Sequence, residues 1–230
     1  MTTVYIISAP SGSGKSTLVN GVLRIVPGLD FSVSYTTRPP RRNETHEREY
    51  CFVPREEFAE MVRKDEFLEH ADVFGNLYGT ARKFLRAAEL AGRDLLLDID
   101  VQGAEQIRRK LPEAVRIFIM PPDRQTLERR LRDRSSDAED VIQRRLATAT
   151  REIENYGNYD YILVNDRLDE SVEALKTILL AERLRRSGIK LTADQADLLA
   201  KAERCRLDNV RERLQPILAS FVPATAPGGR

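Results

Sequence analysis

Histidine and cysteine are scarce in this chain, and their scarcity excludes several chemistries at once. The two histidines, His46 and His70, form no metal constellation. The two cysteines, Cys51 and Cys205, lie far apart and without metal-ligand spacing, which implies free thiols in a reducing compartment. Neither sign of charge is in excess. Lys and Arg number 37 against 36 Asp and Glu, so the formal net charge is +1 and a nucleic-acid polymer is not the expected partner. No apolar run approaches membrane-spanning length, and the first residues lack the charged-then-apolar pattern of a signal segment. A cytoplasmic protein with no membrane partner is expected. No internal repeat is visible. The 230 residues suffice for one sizeable α/β domain with a small insertion or tail.

What is present is a phosphate-binding signature. Ala9-Pro10-Ser11-Gly12-Ser13-Gly14-Lys15-Ser16-Thr17 follows the apolar run Val4–Ser8 and precedes a segment of helical spacing, Leu18–Leu23. A strand, a loop of small residues ending in Gly-Lys-Ser and a helix make the context of a P-loop. Small residues let successive backbone N–H groups wrap an anionic cluster, and the helix presents its positive end to the same anion. Lys15 can reach the β- and γ-phosphates of ATP, and the Ser16 hydroxyl can ligate Mg²⁺. Ala9 stands where the pattern usually has its first glycine. The bland alternative is an ordinary Gly/Ser turn between strand and helix.

Further along, Phe31–Thr36 alternates with period two and predicts one half-buried strand. Thr37-Arg38-Pro39-Pro40-Arg41-Arg42 cannot be helical, because proline lacks a donor and restricts its predecessor. Residues 43–49 are wholly polar and predict an exposed excursion. Tyr50–Val53 is read as a strand, and Pro54 opens a helix with Phe58, Met61 and Val62 on one face. Phe67–Ala71 and Val73-Phe74 are read as strand, and Gly75–Thr80 as a turn. Residues 32–82 are therefore expected to form a small, mostly antiparallel lobe inserted into an α/β pattern.

That pattern returns with a helix over about 81–91, ended by Gly92. Strands are expected at 95–100, 115–120 and 161–164, and helices at 102–110, 123–134, 137–156 and 168–187. Ser136-Asp137-Ala138-Glu139 has the form of a capping box. Short apolar strands alternating with helices predict a parallel sheet covered on both faces. Ligands then bind at the carboxyl ends of its strands, which carry the P-loop, Asp98 and Asp100. Arginines cluster at 124, 129, 130, 132, 134, 144 and 145, a pattern that suits a small phosphorylated ligand, although a solvated helix face is the usual fate of such runs.

Gly188 marks a boundary. Thr192-Ala193-Asp194-Gln195 is a second capping box. Leu207, Val210, Leu214, Ile217 and Phe221 recur at helical spacing, with Pro216 expected to kink or end the helix. This stripe fits a helix docked on its own body better than a dimer seam, although both a monomer and a homodimer stay open. The Pro/Gly-rich residues 223–230 are expected to be disordered.

Arg38, Arg41, Tyr50 and Tyr78 are donors suited to a monophosphate dianion. Ser34, Glu69, Thr80 and Asp100 suit a guanine: a carboxylate matches its N1–H and N2–H₂ donors, and a hydroxyl matches O6. Adenine would set an unprotonated N1 against the carboxylate. Taken singly, each of these eight reads better as a surface or core polar residue.

The segments APSGSGKST, FSVSYTTRPPR, EYCFV, EFLEHADVFGNLYGT, LLLDIDVQGA, PPDRQTLERRLRDRSSD and YILVND, in this order and spacing, resemble bacterial guanylate kinases over about residues 3–186. The resemblance implies a P-loop three-layer α/β fold with a five-stranded parallel core sheet (1–31, 83–123, 159–187). It further implies a GMP-binding lobe (32–82), a helical lid (124–158), and a C-terminal helical extension (188–230) outside the family pattern. It implies transfer of the γ-phosphoryl group of ATP to GMP, with Mg²⁺, in purine nucleotide recycling. Residues 9–17 would wrap ATP, with Asn165 near the adenine. Lys15, Arg130, Arg134 and Arg145 would be catalytic. Ser16 and Asp98 would serve the metal. Ser34, Glu69, Thr80 and Asp100 would read the base, while Arg38, Arg41, Tyr50 and Tyr78 would hold its phosphate. Ser135-Ser136 stand where the family usually has Gly-Thr. Two alternatives remain: a ribose-1,5-bisphosphate kinase, which needs no guanine-edge carboxylates, and a non-catalytic guanylate-kinase-like binding module, which typically lacks a working P-loop.

Overall fold

The computed structural model describes residues 2–42, 44–73, 75–134 and 138–222, and at Arg134 the backbone alone. The chain divides into two compact units, Met1–Ser8 with Val19–Arg116, and Ala9–Leu18 with Ile117–Arg230.

The first unit starts from β1 (Val4–Ser8), which is buried along its whole length. Helix α1 (Lys15–Ile25) follows the P-loop and leads to β2 (Leu29–Ser32). Its other elements are β3 (Tyr35–Thr36), β4 (Cys51–Phe52), α2 (Arg55–Arg63), β5 (Phe67–Val73), β6 (Asn76–Ala81), α3 (Arg82–Ala91), β7 (Asp94–Asp98) and α4 (Val101–Lys110). Strand β7 pairs in parallel with β1, Val4 against Leu95 through Ile7 against Asp98, and with β2, Leu29 against Asp94 through Ser32 against Leu97. Leu95, Leu96 and Leu97 are all buried, as a parallel strand covered on both faces requires. Each such side chain contributes roughly 1.5–3 kcal/mol by leaving water. The buried Asp94 is compensated by the Thr3 N–H, 2.8 Å from its Oδ1.

The second unit contains β8 (Val115–Met120, from Ile117 onward), α5 (Arg124–Arg134), α6 (Glu139–Ile153), a 3₁₀ segment (Glu154–Asn158), β9 (Tyr161–Val164), α7 (Leu168–Ser187), α8 (Ala193–Glu203) and α9 (Leu207–Phe221). Strands β8 and β9 pair in parallel, Ile117 against Tyr161 through Met120 against Val164. The core sheet has five strands, as expected, in the order β2-β7-β1-β8-β9.

A second sheet, of order β4-β3-β6-β5, forms the lobe. Only its β3–β4 pairing is parallel. Phe58, Met61, Phe67 and Ala81 make its core, with the Phe58 and Phe67 rings stacked at 4.6 Å. Two expectations fail here. The single strand expected at 31–36 is two strands in two sheets, and the polar Ser32 and Thr36, not Phe31 or Tyr35, are the buried residues. The chain changes sheets at Val33-Ser34, where the Ser34 carbonyl accepts the Cys51 N–H at 2.9 Å. The turn expected at 75–80 is strand β6, paired on both sides. Gly79, a turn signal by sequence, marks a close approach instead: a Cβ there would stand 2.8 Å from the Phe67 ring.

The expected stops at Gly92 and Gly188 are borne out, both left-handed at φ 62° and 63°. The capping box at Thr192 is present with both of its hydrogen bonds. Helix α6 starts at Glu139 with Ala138 as its cap residue and no side-chain cap bond, so Ser136 does not open it. Ser135, Ser136 and Asp137 lie outside the described residues, as do 223–230. Pro216 sits inside α9 and does not end it. Proline removes one donor, but Leu214 and Phe221 are buried on either side of it. Leu207 and Val210 are buried too, so the stripe docks on its own chain, with Ile217 only partly covered.

Candidate active site

The second unit builds the phosphate loop. Its left-handed backbone falls on Gly12 (φ 92°) and Gly14 (φ 86°). Among the described non-glycine residues only Glu47 and Asp65 have positive φ, so Ala9 stands in place of glycine without strain. The loop folds on itself through the Ser13 N–H to the Pro10 carbonyl at 3.1 Å, and Lys15, Ser16 and Thr17 open α1. A Cβ on Gly12 would stand 2.9 Å from Leu131 Cδ2 and 3.0 Å from Leu127 Cδ1, so the buried face of α5 backs the loop. Asn165 lies beneath it. The Asn165 amide donates to the Ser13 carbonyl at 2.7 Å, and a methyl group on Gly14 would fall on that amide.

The arginine cluster divides by role. Arg130 Nη1 donates to the Asn165 carbonyl at 3.0 Å and Nη2 to the Asp166 carbonyl at 3.3 Å. Arg145 Nη2 donates to Ser11 Oγ at 2.8 Å, within the P-loop. Arg132 instead pairs with Glu128 and Glu139, and Arg144 pairs with Asp140, one helical turn away. These last two are the solvated face that the sequence left open; the first two are not. The Arg134 side chain lies outside the described residues.

The first unit gathers the remaining candidates in two groups. In one, Glu69 is only 3% exposed. The Thr80 hydroxyl donates to its Oε1 at 2.6 Å. Asp100 caps α4 by accepting the Gly103 N–H at 2.8 Å. A Cβ on Gly103 would stand 2.5 Å from Glu69 Oε2 and 3.3 Å from Asp100 Oδ1, so this glycine lets both carboxylates crowd one helix start. Burial pushes the Glu69 carboxyl up to about 7, and the Asp100 charge adds to the rise while the Thr80 bond opposes it. The Ser34 carbonyl accepts the Cys51 N–H at 2.9 Å, a bond that does not join Ser34 to this group.

In the other group, Arg38 Nε donates to the Tyr78 hydroxyl at 3.2 Å, and its guanidinium lies 5.4 Å from the Tyr50 ring centre. Its Nη2 donates to both Glu44 oxygens at 2.9 Å. The Arg41 N–H donates to Glu44 at 2.8 Å, while the Arg41 side chain is exposed. Burial alone would raise the Glu44 pKa, but the bonds from Arg41 and Arg38 hold it below the usual carboxylate range. Burial pushes the Tyr50 phenol up to about 12, with the Asp98 charge contributing, so Tyr50 remains a donor at neutral pH.

The guanylate kinase family model matches residues 1–182. The chain belongs to the guanylate kinase family. It is 56% identical to the guanylate kinase of Koribacter versatilis over 228 residues, 98% of each chain. It is 52% identical to that of Escherichia coli K12 over 194 residues, 84% of this chain and 94% of the other. A solved guanylate kinase from Anaplasma phagocytophilum superposes with a TM-score of 0.65 at 32% identity, over 93% of this chain and 94% of that one.

Two residues of this guanylate kinase family member escaped sequence reasoning. Glu44 lies in the stretch expected to be exposed, yet its side chain is only 15% exposed and fills the Arg38 fork. An acid six residues after an arginine in a Pro-rich loop carries no periodic signal. Gly103 lay in a helical pattern, where an interior glycine hints at a close approach.

Proposed function

We propose that this chain transfers the γ-phosphoryl group of ATP to GMP, giving ADP and GDP. The observation that carries the reading is the Glu69–Thr80–Asp100 group: a buried carboxylate, a hydroxyl on it, and a second carboxylate beside it. Guanine offers two adjacent donors to an ionised carboxylate, and no other common nucleobase edge matches as well. Family membership supports the same reaction.

The acceptor nucleophile is a phosphate oxygen, anionic at neutral pH, so no general base is required. Alignment and charge compensation are what the protein supplies. Lys15 and the P-loop amides hold the triphosphate. Arg130, Arg134 and Arg145 compensate the transferring group. Arg38, Arg41, Tyr50 and Tyr78 hold the GMP phosphate. Mg²⁺ takes hard oxygen ligands and keeps several waters. The exposed Ser16 hydroxyl and the Asp98 carboxylate at the end of β7 are donors of that kind. When bound, the ion neutralises charge on the phosphate oxygens.

Residues 32–82 are read as the acceptor lobe and 124–158 as the lid, with 1–31, 83–123 and 159–187 as core and 188–230 as an extension. Among the described residues no helix is long and apolar enough to cross a membrane. The free Cys51 and Cys205 support a reducing, cytoplasmic setting.

Separation of nucleotides after incubation with ATP, Mg²⁺ and GMP tests the reaction. Equimolar ADP and GDP are expected; ADP without GDP would reject it.

A further inference from the structure

We propose that the C-terminal extension, residues 189–222, is a brace that positions the ATP-holding elements of the second unit, with Ser220 and Arg206 as its two anchoring residues. This rests on the reading of the P-loop as an ATP site. The extension lies beyond residue 182, where the family match ends.

Its first anchor grips β9. The Ile162 N–H donates to the Cys205 carbonyl at 2.8 Å, and the Leu207 N–H to the Asp160 carbonyl at 3.1 Å. The extension thus pairs with the start of a strand that stands at the end of the sheet order. A polar cluster locks this pairing. The Tyr161 hydroxyl donates to the buried Glu182 at 2.5 Å, Arg206 Nη2 donates to the same carboxylate at 3.2 Å, and the Arg206 guanidinium lies 4.6 Å over the Tyr161 ring. Arg185 donates to Tyr161, Glu182 and Glu203, tying α7 to α8.

The second anchor holds the first turn of α5. Ser220 Oγ accepts the Arg124 N–H at 3.1 Å and donates to the Ile217 carbonyl at 2.6 Å. The Arg124 N–H is one of the donors that a helix start leaves unpaired. A hollow lined by Asp123, Arg124, Gln125, Glu128 and Ser220 surrounds this contact, and Ser220 is only partly buried, outside the core.

Both anchors lead to the phosphate loop. From β9 the chain runs straight into Asn165, whose amide holds the Ser13 carbonyl. From α5, Leu127 and Leu131 back Gly12, and Arg130 holds the Asn165 and Asp166 carbonyls. A shift of either anchor therefore reaches the P-loop through contacts already on the chain. None of these steps passes through the guanine-reading group of the first unit.

Titration calorimetry on the full chain tests the brace. ATP and GMP affinities are measured separately for wild type, Ser220→Ala, Ser220→Thr and Arg206→Gln. Loss of one such hydrogen bond predicts ATP binding weaker by about threefold to tenfold in Ser220→Ala. A similar or larger loss is expected in Arg206→Gln, recovery in Ser220→Thr, and unchanged GMP binding throughout. Unchanged ATP affinity in both loss variants, or equal weakening of ATP and GMP, overturns the proposal. Because the readout is ATP binding, a chain that leaves GMP unphosphorylated yet shows the ATP-only loss would sink the proposed reaction while supporting the brace.

Discussion

Arg38, in the first unit, already holds a carboxylate: both oxygens of Glu44 sit on its Nη2. Arg130, in the second, rests on two backbone carbonyls. The two arginines are both assigned to phosphate, yet they wait for it differently. A carboxylate is the nearest thing a protein has to a phosphate oxygen pair, so Glu44 keeps the Arg38 fork shaped and occupied. In the proposed reaction, an arriving monophosphate would compete with it. Neutral carbonyls hold Arg130 weakly by comparison, and in the proposed transfer a developing negative charge would win it without displacing an anion. Under the proposed roles, the acceptor side would be tuned for selection and the P-loop side for charge stabilisation during transfer.

The largest effect should break the transfer side alone. Lys15→Ala is expected to lower turnover by roughly 10²–10³-fold or more, with GMP affinity nearly unchanged, as steady-state kinetics and GMP titration would show. Equal loss of both would mean that the two sides are not separable.

Next in size is the base reader. Glu69→Gln should raise KM for GMP roughly 10- to 100-fold, the range for a hydrogen bond to a charged group, with KM for ATP unmoved. An unchanged guanine preference would remove Glu69 from the reading group.

The pH dependence of the same residue is smaller but more specific. Its carboxyl is raised from the usual value near 4.5 to about 7 by burial. The native state therefore binds this proton more tightly than the unfolded chain. In the absence of nucleotide, Glu69 favours folding at low pH and withdraws that contribution as pH rises between 4.5 and 7. Guanine needs the ionised form, so KM for GMP should climb as pH falls below 7, toward about tenfold per unit. A phosphate monoester itself titrates near pH 6. Glu69→Gln should erase the step near 7 and leave the one near 6.

The smallest expected change sharpens the contrast between the two arginines. Glu44→Gln weakens the competitor in the Arg38 fork and should lower KM for GMP about threefold to tenfold. A higher KM would show that Glu44 shapes the fork more than it blocks it.

How far the sequence could be read follows from which signals are local. The P-loop was legible because strand, small residues, lysine and helix start are contiguous. Gly92, Gly188 and Thr192 were legible because caps are written within four residues. Strand β6 was not, since Gly79 signals a turn by composition and a close packing contact by structure, and only the distant rings of Phe67 and Phe58 distinguish them. Strands β2 and β3 were merged because the alternation persists while the chain changes sheets. The division of the arginines was invisible too: Arg130 and Arg132 look alike until Asn165 on one side and Glu139 on the other are in place.

The most direct measurement is the ratio of kcat/KM for GMP to that for AMP, CMP and UMP, with ATP and Mg²⁺ held constant and ADP release followed. The account predicts efficient turnover of GMP and rejection of the others by several orders of magnitude. Comparable turnover of a second acceptor, or consumption of another while GMP is left untouched, would contradict it.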